Sequence, residues 1–255
     1  MTYIGAVEIE RENLVLLEKV GKGVYGAVYR AEAWNITAMD TKSRLVTVKL
    51  ISEDASEAER DMYQEELSLT ASLNHPNVVG LIGVCTKTKP ECLILDAGEY
   101  IDLLQHLRSM IATAPNPNVP TRRHPPPVGH SVKETQWFSN PLALVLEDEL
   151  ELLTCADQIC LGMAFLSETQ CLHKDLAARN CIISPDGIVK VANFGISHQL
   201  YPEAYCDIGH RTRQPLRWMA PETIKSGDYT KENDIWAFGV VLWELFTMEN
   251  FLIWT

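Results

Sequence analysis

The sequence has no C-x-x-C pair and an odd number of cysteines, seven in all, at Cys85, Cys92, Cys155, Cys160, Cys171, Cys181 and Cys206. That pattern argues against a disulfide framework and a zinc site, and reads as buried free thiols in a reducing compartment. Positive charge is scarce: 22 Lys and Arg stand against 34 Asp and Glu, a formal net charge of -12. A general nucleic-acid binder needs a basic face to neutralise phosphates, so no nucleic-acid partner is expected. The same acidic balance serves solubility. No run reaches about 18 apolar residues, so no membrane span is expected. Residues 1–10 lack the basic start and apolar stretch of a signal peptide.

What is present is an ordinary globular composition, 46% hydrophobic over 255 residues, enough for one large domain or two lobes. Residues 14–17 and 28–30 read as strands flanking a glycine cluster, and 44–50 is a β-branched run. Residues 56–73 switch to helical spacing, with Met62, Leu67, Leu69 and Leu73 mostly on one side and Ser56 as N-cap. Runs at 78–84 and 92–95 suit buried strands, and a helix starts at 103–110. Pro115, Pro117, Pro120, Pro125, Pro126 and Pro127 then mark residues 112–147 as an inserted, disordered loop. A helix over 148–167, short strands at 182–183 and 189–191, and an apolar helix from 230 to 247 follow. Strands first and helices later predict an α+β protein of two lobes.

Three motifs carry chemistry. Gly21-Lys22-Gly23-Val24-Tyr25-Gly26 lies between strand-like runs and opens no helix, which favours a hairpin loop over phosphates and disfavours a dinucleotide-binding turn. Lys49 ends the apolar strand 46–49, where a buried ammonium needs a partner, and Glu66 on the next helix is the candidate. The competing reading is a lysine that reaches out to solvent. The loop His173-Lys174-Asp175-Leu176-Ala177-Ala178-Arg179-Asn180 sets a carboxylate five residues before a carboxamide. Asp175 can accept a hydroxyl proton, and the Asn180 oxygen can ligate a hard cation such as magnesium. Asn193-Phe194-Gly195 follows.

With Ala220-Pro221-Glu222 and the stretch from Asp234 to Gly239 in the same order, the chain resembles the protein kinases. The Leu176-Ala177-Ala178-Arg179 run and the stretch from Pro215 to Met219 look like the tyrosine-specific versions. Residues 81–85, 107–110 and the long insert are most similar to receptor tyrosine kinases of the muscle-specific, Ror and Trk group, with departures like those of the Ryk receptors. The resemblance implies a two-lobed fold over 13–255, with an N-lobe at about 13–96 and a C-lobe at about 97–255 that is truncated at its end. It also implies ATP and Mg2+ as cofactors. By the resemblance, Gly21, Gly23 and Gly26 cover the phosphates, and Lys49, oriented by Glu66, holds the α and β phosphates. Val28, Leu95, Asp96, Gly98 and Ile182 join the nucleotide site, Leu95 as gatekeeper and Asp96 to Gly98 as hinge. Asp175 is the implied catalytic base, with Arg179 beside it among the catalytic residues. Asn180 and Asn193 take the metal positions, and Tyr201 and Tyr205 are activation-segment phosphosites, with Cys206 where a third tyrosine is usual.

The departures bear on activity. Asn193 stands where the family uses Asp, and a carboxamide brings one oxygen and no charge to the metal. Weak or absent transfer is therefore expected, with a pseudokinase that acts as a phosphorylated docking module as the alternative. Lys174 replaces an arginine, Thr47 a small alanine beside adenine, Thr70 an apolar residue and Ile101 a glycine. After residue 247 only Met248 to Thr255 remain, so Trp236, Phe238, Trp243 and Phe246 are expected to be partly uncovered. A protein substrate or kinase partner is implied, and Pro117 to Arg122 fits the P-x-x-P-x-R pattern read by SH3 domains. The receptor resemblance implies a membrane-spanning parent, with this part on the cytoplasmic face of the plasma membrane.

Overall fold

The computed structural model describes residues 6–36, 42–113, 141–192, 204–206 and 214–247. It forms two lobes. The first is a five-stranded antiparallel sheet in the order β1-β2-β3-β5-β4, built from β1 (Leu14–Lys22), β2 (Ala27–Ala33), β3 (Arg44–Leu50), β4 (Leu81–Cys85) and β5 (Cys92–Leu95). β3 lies at the centre, and from Val46 to Leu50 it is buried on both faces, which explains its nearly unbroken apolar run. One face packs on helix α1 (Glu57–Ser72), and the other closes over Leu14, Ala31, Val46, Val48 and Ile94.

α1 starts on a capping box. Ser56 Oγ accepts from the Glu59 amide, and the Glu59 carboxylate accepts from the Ser56 amide at 2.7 Å. Its buried stripe is Tyr63 and Leu67, four residues apart. Met62 and Leu69, expected on the buried side, are instead 50% and 43% exposed. They flank the stripe and line a cavity. The apolar run 78–84 likewise divides. Only Leu81–Cys85 joins the sheet, while the Val79 amide donates to Val191 and the Val191 amide to Asn77, so the start of the run belongs to the seam between lobes.

The second lobe is mainly helical, with α2 (Leu103–Thr113), α3 (Pro141–Glu168), α4 (Pro221–Ser226) and α5 (Lys231–Thr247). A small sheet of β6 (Ile101–Asp102), β7 (Cys181–Ile183) and β8 (Val189–Val191) sits beside them. Leu103, Leu107, Leu152, Ile159, Val241 and Leu245 meet in its core. α3 begins seven residues before the expected 148, inside the expected insert. Pro141 suits a first helical position, and Leu, Ala and Glu follow it. α2 likewise runs to Thr113, two residues into the expected insert, and residues 114–140, with the proline motif from Pro117 to Arg122, lie outside the described residues. Within α3, Glu149–Glu168 is long and apolar enough, by length and composition alone, to cross a membrane. Glu151 and Asp157 break its apolar run in the sequence. In the fold, its Leu152, Cys155, Ile159 and Leu166 are buried in the core.

All seven cysteines are free. Cys85, Cys92, Cys155 and Cys181 are buried, whereas Cys171 is intermediate and Cys160 and Cys206 are exposed. Trp236, Trp243 and Phe246 are 41–48% exposed, and Phe238 packs partly on the core.

Two glycines respond oppositely to a methyl group. At Gly98, on the connection between lobes, a Cβ would lie 2.0 Å from the Leu45 carbonyl carbon and 2.2 Å from the Val46 nitrogen. At Gly239, inside α5, it would meet nothing within 4 Å. Gly98→Ala should therefore destabilise by about 1–3 kcal/mol, and Gly239→Ala should stabilise by about 0.5–1 kcal/mol. Urea unfolding of the two variants checks both signs.

Candidate active site

The loop from His173 to Asn180 is fixed from below by α5. The Asp234 carboxylate accepts from the backbone amides of His173 at 2.8 Å and Lys174 at 3.0 Å. Gripping two successive amides holds Lys174 at a φ of 68°, a conformation an unbranched side chain tolerates only under such restraint. His173 Nε2 faces the Ala192 carbonyl at 3.1 Å, so it donates there, and Nδ1 is left to accept from the Asp175 amide at 3.3 Å. The Glu244 carboxylate, also from α5, accepts from the Ala178 amide at 2.9 Å and the Trp218 indole at 3.1 Å.

Asp175 is thereby presented with both carboxylate oxygens engaged. Oδ1 accepts from Arg179 Nη2 at 2.8 Å, and Oδ2 accepts from the Tyr205 hydroxyl at 2.6 Å. Arg179 also donates through Nε to that hydroxyl at 3.1 Å. Its guanidinium lies 4.0 Å from the Trp218 ring centre and 4.7 Å from that of Tyr205. Burial first, then the Asp175 charge, pushes the Tyr205 phenol up to about 12, so it stays a proton donor at neutral pH. Asn180 donates its side-chain amide to the Asp175 carbonyl at 2.5 Å, which assigns any metal ligation to its oxygen. The Ala192 amide, next to position 193, donates to the Asn180 carbonyl at 2.9 Å.

In the first lobe, Lys49 Nζ meets Glu66 Oε1 at 2.5 Å, and the lysine side chain is only 4% exposed. Burial, opposed by the Glu66 carboxylate, holds the Lys49 ammonium below the ordinary lysine range. Tyr25, from the glycine turn, donates its hydroxyl to Glu66 Oε2 at 2.8 Å, with its ring centre 5.1 Å from Lys49 Nζ. Gly21 lies within β1, paired with Val28, so the turn shortens to 23–26. There the Gly23 amide donates to Gly26. Gly26 is required for space, since a Cβ would fall 1.9 Å from the Leu50 carbonyl oxygen.

Two cavities run along the seam. One of about 370 Å³ joins Lys49, Glu66 and Leu95 to His173, Lys174 and Ala192 of the second lobe. The other, about 220 Å³, is lined by Val28 and Ile182, with Thr47, Ala97 and Asn180. Asp96 lines neither; its carboxylate is engaged by Arg44 at 2.5 Å and Lys190 at 2.6 Å. The Thr47 hydroxyl is tied to the Ala97 carbonyl at 3.3 Å, and that of Thr70 to the carbonyl of Glu66 in its own helix. Asn193 and Tyr201 lie outside the described residues.

The family model for protein tyrosine and serine/threonine kinases matches residues 14–251. The chain belongs to this family. Among curated relatives, the kinase domain is 35% identical over 239 residues to the high affinity nerve growth factor receptor of Mus musculus. That match covers 94% of this chain and 27% of the receptor. The receptor of the same name from Gallus gallus is 35% identical over 94% of this chain and 28% of its own length. The NT-3 growth factor receptor of Sus scrofa is 33% identical over 246 residues, 96% of this chain and 27% of the receptor. The chain thus spans about a quarter of the length of these relatives.

Three groups in the kinase domain escaped the sequence reading: Tyr25, Asp234 as an anchor, and Glu244. For Glu244 a signal existed, a lone carboxylate among the apolar residues of α5. Burial pushes Glu244 up to about 7, against the pull of its two N–H donors and Arg179. Its folded pKa thus exceeds the ordinary value of 4.5. Between those values the unfolded chain has released a proton that the folded one keeps, so stability falls as pH rises through that window, by about 3 kcal/mol in total. In Glu244→Gln one oxygen can still accept both hydrogen bonds, and the slope disappears. Guanidinium unfolding of parent and variant across this range checks it; identical slopes would mean that Glu244 is ionised throughout.

Proposed function

We propose that this kinase domain binds ATP with magnesium and passes the γ-phosphoryl group to a protein tyrosine, at a rate held down by Asn193. The observation that carries the reading is the tyrosine hydroxyl of Tyr205 resting 2.6 Å from Asp175 Oδ2. That is the geometry a base needs toward the proton it receives. In the reaction the bond from the γ-phosphorus to the β–γ bridging oxygen breaks, a bond to the tyrosine oxygen forms, and the phenolic proton passes to Asp175. Arg179 holds the second oxygen of Asp175 and keeps the carboxylate turned toward the acceptor. Lys49 would meet the α and β phosphates, and Val28 and Ile182 would enclose adenine, with Leu95 and the stretch from Asp96 to Gly98 at the hinge.

Magnesium, when bound, would neutralise the phosphate charge that grows in the transition state. The Asn180 oxygen would hold a hard cation as a neutral ligand, and Asn193, by its residue type, would be a second neutral one. Both Asp175 oxygens are already engaged. A site of carboxamides would hold the cation weakly, and the loss of one preorganised stabilising group costs about 10²–10³ in rate. The same observation favours a second reading, a pseudokinase phosphorylated on Tyr201 and Tyr205 by a partner kinase. In either reading the longer receptor relatives suggest a place on the cytoplasmic face of a membrane-spanning parent, and the proline motif at 117–122 would offer an SH3 domain a docking site.

Incubation with ATP and magnesium, followed by mapping of phosphotyrosine, separates the readings. Weak labelling of the parent, lost in Asp175→Ala and raised about 10²-fold in Asn193→Asp, is expected. Labelling that appears only in Asn193→Asp would establish the pseudokinase. Labelling indifferent to Asp175→Ala would sink the assignment of the base.

A further inference from the structure

The glycine turn does more than cover a phosphate site, because its tyrosine is folded into one. Tyr25 is 6% exposed, although it sits on a turn between two strands. Its hydroxyl is bonded to Glu66, its ring stands against the Lys49 ammonium, and it packs edge-to-face with the Tyr63 ring at 5.4 Å between centres. Lys49 is thereby closed between the Glu66 carboxylate and the Tyr25 ring, with 4% of its side chain exposed. With both neighbours in place, little of the Lys49 side chain is left for a phosphate oxygen to meet. Glu66 lies within α1 and is held there by the helix. The turn is held by the Gly23–Gly26 hydrogen bond and by the Ser52 amide donating to the Tyr25 carbonyl at 2.9 Å, and neither bond fixes the side-chain torsions. Tyr25 is the group able to move.

We infer that Tyr25 is a built-in stopper for the phosphate end of the nucleotide site, competing with the phosphates of a nucleotide for Lys49. The inference rests on the nucleotide reading above. Binding of a triphosphate requires the Tyr25–Glu66 hydrogen bond to break and the ring to swing off Lys49, so the stopper lowers affinity by the stability of those contacts. A hydrogen bond to a carboxylate corresponds to about tenfold in affinity. Tyr25→Phe removes that bond and keeps the ring, and Tyr25→Ala removes both.

The test uses the whole chain in two arms, with cooperative melting of each variant as the check on folding. In the first arm, a fluorescent ribose-labelled ATP with magnesium is titrated into parent, Tyr25→Phe and Tyr25→Ala. Affinity should rise about tenfold in Tyr25→Phe and further in Tyr25→Ala. In the second arm, no nucleotide is present, and acetylation of Lys49 by acetic anhydride is followed by mass spectrometry. The rate should rise in Tyr25→Ala, where the ammonium is uncovered. Equal or weaker nucleotide binding in the variants overturns the stopper and leaves the nucleotide reading intact. Unchanged acetylation overturns it too, because Tyr25 then does not cover Lys49. If none of the three chains binds nucleotide while Lys49 becomes more reactive in Tyr25→Ala, the nucleotide reading fails, and the competition falls with it.

Discussion

A lysine ammonium with 4% of its side chain exposed must be paired, and the pairing of Lys49 with Glu66 orders much of the first lobe. Lys49 is the penultimate residue of the central strand, and Glu66 lies in the middle of α1. Their contact at 2.5 Å sets how far along the sheet the helix sits. The capping box at Ser56 fixes where the helix begins, and Tyr63 and Leu67 fix which side it turns inward. Glu66 then has one oxygen for Lys49 and one for Tyr25, so the glycine turn is drawn onto the same pair.

The second lobe solves the opposite problem, holding a carboxylate in place on a loop. Asp175 is positioned through backbone and buried neighbours. Asp234 grips the two amides before it, Asn180 holds its carbonyl, and Arg179 is stacked on Trp218 before it reaches the Oδ1 atom. Each half of the site ends on a tyrosine of the chain itself. Tyr25 stands at the cationic end and Tyr205 at the carboxylate end, both buried and both donating to an acid. Each half of the site is thus closed by a phenol.

The motifs were legible because each sets an uncommon residue type in its place: a glycine pressed on a backbone, a lysine inside an apolar strand, a carboxylate and a carboxamide five residues apart. Lys49 and Glu66 were paired from sequence on the cost of burying a charge, and they meet in the fold. What sequence could not supply was side-chain direction. Met62 and Leu69 satisfy helical spacing as well as Tyr63 does, yet only tertiary packing selects Tyr63. Asp96 follows β5 directly, but its carboxylate answers Arg44 and Lys190, which are 52 and 94 residues away in the chain. Tyr25 is a tolerated residue in a glycine motif, and nothing local tells whether it points outward or onto Glu66. The start of α3 was hidden by prolines whose spacing ends before residue 141.

The account depends on Lys49 and Glu66 acting as one unit, and a double-mutant cycle in urea measures that directly. Removing one partner leaves a buried charge uncompensated, so Lys49→Met and Glu66→Gln should each cost about 3 kcal/mol. The double variant should cost little more than either alone, a coupling of about 2 kcal/mol or more. Additive losses would contradict the account, since they would mean that the two side chains are stabilised separately and that the pair does not hold the lobe together.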